Sequence, residues 1–288
     1  IGPDNTSNTA NVGSSLIFNV TISDDSGVEN ASVEYWRGTG GHISRSLSMG
    51  TGDAKNGTWQ TTIIPYGSTI SIDYKIHATD VVDNANVTTV SRVTVFDVTS
   101  PSIDDHTVGV PTTGDAYQFV VNVTDDVRPI EVRIHYTIGV PPVVNRNVSM
   151  VPEAVDSQGN GIFIYNITVP TDITGTIPYV ISSKDNAGNA RSIQDTVIIQ
   201  DNDVPLVGAD GSDKSASTGD PMMFQIDVTD NVMVSDVHAI YWYGTSGVTN
   251  TTMNPGAVDG KGNGIYTLMV NIPANFVGTF NYRFAVKG

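Results

Sequence analysis

The 288-residue chain is 39 % apolar, holds 28 glycines, 14 prolines and no cysteine, and carries a formal net charge of −16. The absence of cysteine excludes disulfide staples, thiolate-held metals and a cysteine nucleophile. The charge excludes nucleic acid as a partner, since that takes clustered Lys and Arg, and no apolar run nears the roughly 20 residues of a membrane-spanning helix.

In chain order, the first clear strand is B, Leu16 to Ser23, where Phe18, Val20 and Ile22 alternate with Asn19 and Thr21. Strand C follows over Ala31 to Arg37, with Val33 and Tyr35 inward. Strand C′ lies near Ser46 to Met49, and Met49 is matched further on by Met150 and Met253. A turn with Asp53, Gly57 and Trp59 opens strand E, Thr58 to Ile64, which Pro65 ends. Strand F spans Ile70 to Ala78 with Ile70, Ile72, Tyr74 and Ile76 inward, and strand G spans Val87 to Phe96. Period-two alternation with one apolar face per strand is the pattern of two sheets packed face to face. The tyrosine of strand F is expected to make a corner hydrogen bond of the immunoglobulin kind.

The same order recurs twice. Strand B with its paired acids returns as Phe119 to Asp125-Asp126 and as Phe224 to Asp230-Asn231. Tyr35 returns as Tyr136 and Tyr241, and the turn as Asp156 to Phe163 and Asp259 to Tyr266. Pro65 returns as Pro170 and Pro273, and Tyr74 as Tyr179 and Tyr282. A period of about 100 residues is that of a whole domain, whereas solenoid repeats run roughly 20–50. The expected division is 1–98, 99–203 and 204–288, three sandwiches of an all-β chain. The third stops after strand F (Phe280, Tyr282, Phe284, Val286) with no strand G. Two explanations stay open: the chain is part of a larger protein, or a neighbouring subunit donates the strand. Ile1 is not a natural start, which also points to processing or a fragment.

The order of strand-B acids, Asp-Gly-aromatic turn, Pro-ended strand, Tyr on F and then Asp185-Asn-Ala-Gly-Asn189 resembles the immunoglobulin-like or fibronectin-III-like modules of archaeal and bacterial surface proteins. Unit 1 departs from it with Asp80-Val-Val-Asp83-Asn84-Ala-Asn86. The resemblance implies tandem sandwiches in surface-layer proteins, adhesins and large secreted enzymes. The function expected from it is structural: a segment of a prokaryotic, preferentially archaeal, extracellular cell-surface protein such as a surface layer, sheath or filament, partnered by other copies or neighbouring modules. The alternatives are an adhesin stalk and spacer modules of a secreted hydrolase.

The acids are 26 Asp against 4 Glu. In the sandwich topology the B–C, C′–E and F–G loops leave one end, where the module's N-terminal residues also enter. That end is expected to gather Asp4, Asp24, Asp25, Asp53, Asp80 and Asp83 in unit 1. In unit 2 it gathers Asp104, Asp105, Asp125, Asp126, Asp156 and Asp185, facing the tail of unit 1 near Asp97. Asp201, Asp203, Asp230 and Asp259 meet at the next junction. Packed carboxylates repel, and calcium, taking six to eight oxygens in loose geometry, would relieve them. The competing explanation is ordinary Asp turn chemistry, since no loop has EF-hand spacing.

Asn-x-Ser/Thr acceptors for N-glycans occur at Asn5, Asn19, Asn30, Asn56, Asn86, Asn122, Asn147, Asn166 and Asn250, with Asn19 expected on an open strand face. The histidines (His42, His77, His106, His135, His238) do not recur across units, His77 is expected as a plain exposed side chain, and no nucleophile elbow or phosphate loop occurs. No catalytic site is expected.

Overall fold

A computed structural model describes residues 1–139 and 143–288. The first module holds β1 (Thr9–Asn11), β2 (Leu16–Ser23), β3 (Val28–Arg37), β4 (Ile43–Ser46), β5 (Ser48–Asp53), β6 (Asn56–Ile63), β7 (Ile72–Asp80), β8 (Ala85–Val87) and β9 (Ser91–Phe96). The second holds β10 (Ser102–Asp105), β11 (Ala116–Thr124), β12 (Pro129–Ile138), β13 (Val144–Ser149), β14 (Val151–Val155), β15 (Gly161–Thr168), β16 (Gly175–Asp185) and β17 (Ala190–Ile199). The third holds β18 (Leu206–Asp210), β19 (Pro221–Thr229), β20 (Asp236–Tyr243), β21 (Thr249–Thr252), β22 (Asn254–Val258), β23 (Gly264–Asn271) and β24 (Phe280–Lys287). Among the described residues no helix is long and apolar enough to cross a membrane.

The second module shows the plan in full. One sheet runs β10-β11-β15-β14 and the other β13-β12-β16-β17, which is the two-sheet arrangement of an immunoglobulin-like sandwich. Each module has its own core. At the centre of each lies a fully buried strand-B phenylalanine, Phe18, Phe119 or Phe224. Its ring sits 4.8–5.0 Å from the strand-F tyrosine and 5.6–6.1 Å from the strand-C tyrosine. These are offset and tilted contacts, each contributing about 0.5–1.5 kcal/mol beyond area burial.

The expected strand C′ is in fact a crossover between two strands. In each module the chain leaves one sheet (β4, β13, β21) and joins the other (β5, β14, β22) across one buried residue. That residue is Leu47, Met150 or Met253, and its backbone N–H donates to the strand-C residue Ala31, Val132 or Val237. Met49 is therefore not the partner of Met150 and Met253; it is 48 % exposed. Ile70, expected inward, lies ahead of β7 and is 55 % exposed, because the strand begins only at Ile72. Strand G of the first module is broken into β8 and β9, both paired to β7.

The strand-F tyrosine finds a partner other than a corner carbonyl. Tyr74, Tyr179 and Tyr282 donate to the carboxylates of Asp4, Asp105 and Asp210 at 2.6–2.7 Å, tying the N-terminal segment of each module to strand F. In the third module, among the described residues, no strand pairs with the outer edge of β24, and Phe280, Tyr282, Phe284 and Val286 are only half buried.

Candidate metal centre at the first module junction

The B–C, D–E and F–G loops of the second module emerge at one end of the sandwich, because β11, β14 and β16 finish where β12, β15 and β17 begin. The Asp-Gly-aromatic turn belongs to the D–E loop. Asp53, Asp156 and Asp259 each accept backbone N–H donors there, which holds their carboxyls below the usual range. The following glycine lets strand D come close: a Cβ on Gly161 or Gly264 would overlap the carbonyl oxygen of Ala154 or Ala257. In the second and third modules the adjacent Asn160 and Asn263 accept the N–H of Asp125 and Asp230 at 2.8 and 2.6 Å. The D–E turn thus fixes the B–C loop on which the acids sit.

At the end of the first module facing away from the second, Asp24 and Asp80 each satisfy donors of their own loop. Asp24 accepts the N–H groups of Ser26 and Gly27. Asp80 accepts from Val82 and from the backbone and side chain of Asn84, and the Asn84 side chain leads in holding its carboxyl low. Asp25 and Asp83 are exposed, Asp83 with φ +67°.

The first junction is different. Asp97, the residue after β9, joins Asp125 and Asp185 of the second module, with one carboxylate oxygen from each within 4.8 Å of the others. One oxygen of each acid is engaged locally. Asp97 Oδ1 accepts from Thr99, Asp125 Oδ1 from Val127 and Arg128, and Asp185 Oδ1 from Ala187, Gly188 and Asn189. Asn189 also donates its side-chain amide to Asp185 Oδ2 and to the Asp97 carbonyl. The remaining oxygens Asp97 Oδ2 and Asp125 Oδ2, with Asp126 Oδ1 beside them, are buried and have no donor.

Burial, aided by mutual repulsion, pushes the carboxyls of Asp97, Asp125 and Asp126 above the usual range. No basic side chain forms an ion pair with any of the four among the described residues. Unpaired buried carboxylates are costly, and native structures rarely leave such oxygens orphaned. The donors are all oxygen and sit on loops, which suits a hard divalent cation and not zinc, with its preference for nitrogen and sulfur. The buried triad can hold a metal ion. Val127, next in the loop, is buried in the core of the first module.

Sequence reasoning placed Asp125, Asp126 and Asp185 at this junction and noted Asp97 only as a neighbour; Val127 and Asn189 were missed. The signal for Val127 was an apolar residue after the acids in units 2 and 3 (Val127, Val232) where unit 1 has Ser26. Asp104 and Asp105 fall elsewhere. They lie along β10, paired with Asn122 and Val121 and away from the loops; Asp104 meets His106 at 3.0 Å and Asp105 takes the Tyr179 hydroxyl. Asp201 and Asp203 accept the Thr113 hydroxyl region, and Asp230 accepts from Val232 and Met233.

Of the glycan acceptors, Asn5, Asn30, Asn56, Asn86, Asn147, Asn166 and Asn250 are exposed. Asn122 is half buried. Asn19 is not on an open face: Asn5 and Thr6 bond its backbone, and its side-chain oxygen is buried. His77 is not a free surface side chain either, since Glu34 meets both His77 and His42.

No protein family matches the chain, and no curated protein sequence does. Among solved structures it is similar to a tetra-tandem repeat in the extending region of a large adhesion protein, at 16 % identity over 96 % of this chain and 72 % of that one, with a TM-score of 0.37. It is also similar to a three-immunoglobulin-domain piece of titin, at 10 % identity over 97 % and 90 % of the two chains, with a TM-score of 0.42. Fibronectin(III)-like modules of CbhA from Clostridium thermocellum match at 15 % identity over 66 % and 87 %, with a TM-score of 0.24. These are likenesses of fold.

Proposed function

We propose that this chain is a structural, non-catalytic segment of a prokaryotic, preferentially archaeal, extracellular surface protein of the layer, sheath or filament kind, and that calcium stiffens its first junction. The observation that carries this reading is the buried acid set shared by the tail of one module and the loops of the next, with three carboxylate oxygens lacking any donor. Calcium accepts six to eight oxygens at irregular angles, whereas magnesium holds to an octahedron and keeps its waters. A cation there bonds both modules at once, so binding and junction stiffness are linked. The exposed acceptors Asn5, Asn30, Asn56, Asn86, Asn147, Asn166 and Asn250 are the proposed glycan carriers, and intact mass against sequence mass tests them.

Electron microscopy of the native protein on its cells, before and after chelation, tests the role. An ordered layer or filament that comes apart on chelation is the expected result. Scattered single stalks would replace it with the adhesin stalk, and freely secreted protein with the enzyme spacer.

A further inference from the structure

We propose that the second junction is closed by the protein's own cation, the Lys261 ammonium, so that the array has one calcium-dependent joint and one that needs no metal; the contrast rests on the calcium reading of the first junction.

The two junctions are built from matching positions with different chemistry. Asp97 corresponds to Asp201 and Asp125 to Asp230, but Asp126 becomes Asn231, Thr99 becomes Asp203 and Gln158 becomes Lys261. One loop carboxylate is replaced by an amide, one carboxylate is gained in the connecting segment, and one ammonium is added. Asn231 is an amide, and its two hydrogens are both used across the joint. Its Nδ2 donates to the Thr171 carbonyl at 2.5 Å and to Asp203 Oδ2 at 2.9 Å. Lys261 Nζ donates to the Asn231 carbonyl at 2.7 Å and lies 3.5 Å from the Asp172 carbonyl and 3.7 Å from its carboxylate. Asn231 and Lys261 are loop residues of the third module; Thr171 and Asp172 follow β15 of the second. The two side chains therefore clasp one module to the other.

The connecting segment is held in the same way. Asp201 Oδ1 takes the Thr113 hydroxyl at 2.9 Å and the Asp203 N–H at 3.1 Å, and Asn202 donates to Asp115 at 3.0 Å. Thr113 stands where the first module has the buried, apolar Val12. One buried carboxylate oxygen lacks a donor here, Asp230 Oδ2, against three at the first junction. An ammonium brings a fixed charge and three donors, which is what the first joint lacks and a metal ion would supply.

The chain has no cysteine, so paired spin labels can be placed on the full 288-residue chain without background. Ser46→Cys with Ser192→Cys spans the first joint, and Ser192→Cys with Thr249→Cys the second; all three positions are exposed. Pulsed electron paramagnetic resonance then reads each distance distribution in calcium and in chelator. The expected result is that chelation costs the 46–192 pair its single narrow peak and leaves the 192–249 peak unchanged. Lys261→Met, and separately Asn231→Ala, should cost the 192–249 pair its narrow peak in both conditions. Chelation that broadens 192–249, or both variants leaving it narrow, overturns the proposal. A 46–192 peak indifferent to chelation overturns the calcium reading instead, and the two variants still decide the second joint. Far-ultraviolet circular dichroism of each variant confirms that the sandwiches remain folded.

Discussion

Asp126 keeps one carboxylate oxygen out of water with no donor, and Asp97 and Asp125 do the same within the same small volume. Like charges about 5 Å apart repel by roughly 1–3 kcal/mol per pair, depending on the effective dielectric. Asp126→Asn should therefore stabilise the calcium-free chain by about that amount while weakening its response to calcium. Thermal melts with and without calcium measure both, and a variant that melts below the parent in chelator would sink the argument. The pH dependence has a definite sign. Asp97, Asp125 and Asp126 have folded-state values raised above the ordinary 3.8, burial being the main cause. The folded state thus holds protons that the unfolded state has lost. Without calcium, their contribution to stability is greatest below the unfolded value and falls as pH rises through the raised values. Calcium favours the ionised forms, so in its presence this fall should disappear.

At the scale of strands, the crossover residues and the tyrosine ties carry distinguishable predictions. Leu47 is buried between the sheets and Met49 is half exposed. Leu47→Ala should cost about 2–5 kcal/mol in urea unfolding, and Met49→Ala close to nothing. Equal losses would restore Met49 to the core. Tyr179 donates to Asp105 at 2.7 Å inside the sandwich. A hydrogen bond to a charged group contributes about 1.5–3 kcal/mol, so Tyr179→Phe should cost that much in the same measurement. These cases also show what was legible in the sequence. Strand B of the first module falls on Leu16–Ser23 as its alternation predicts, because one face is wholly buried and the other is at most partly covered. The C′–D crossover was not legible, because β4 and β5 are exposed along their whole length and leave no period to follow. Matching methionine to methionine then misplaced the core residue by two positions, whereas hydrophobicity alone, through Leu47, would have found it. Asp105 was misplaced for a different reason: an acid pair near a module's start looks like loop chemistry, and only the register Asp105↔Val121 shows it beside Tyr179.

For the whole molecule, two electrostatic effects compete and salt separates them. The net charge of −16 makes the modules repel, which favours extension in any state of the joints. That repulsion acts through solvent and fades beyond a screening length of about 10 Å at 0.1 M salt. The acid set at the first junction is buried, so screening reaches it far less. Adding sodium chloride to calcium-free protein should therefore relax the general extension without restoring a rigid first joint. Adding calcium at the same ionic strength should restore it, because the ion enters the site and bonds the orphaned oxygens directly. Small-angle X-ray scattering gives the maximum dimension in each condition. The expected order is longest with calcium, shorter in chelator at low salt, and shortest in chelator at high salt. Had sodium chloride alone recovered the calcium dimension, the stiffening would be diffuse charge screening and the buried acids of Asp97, Asp125, Asp126 and Asp185 would have no part in it.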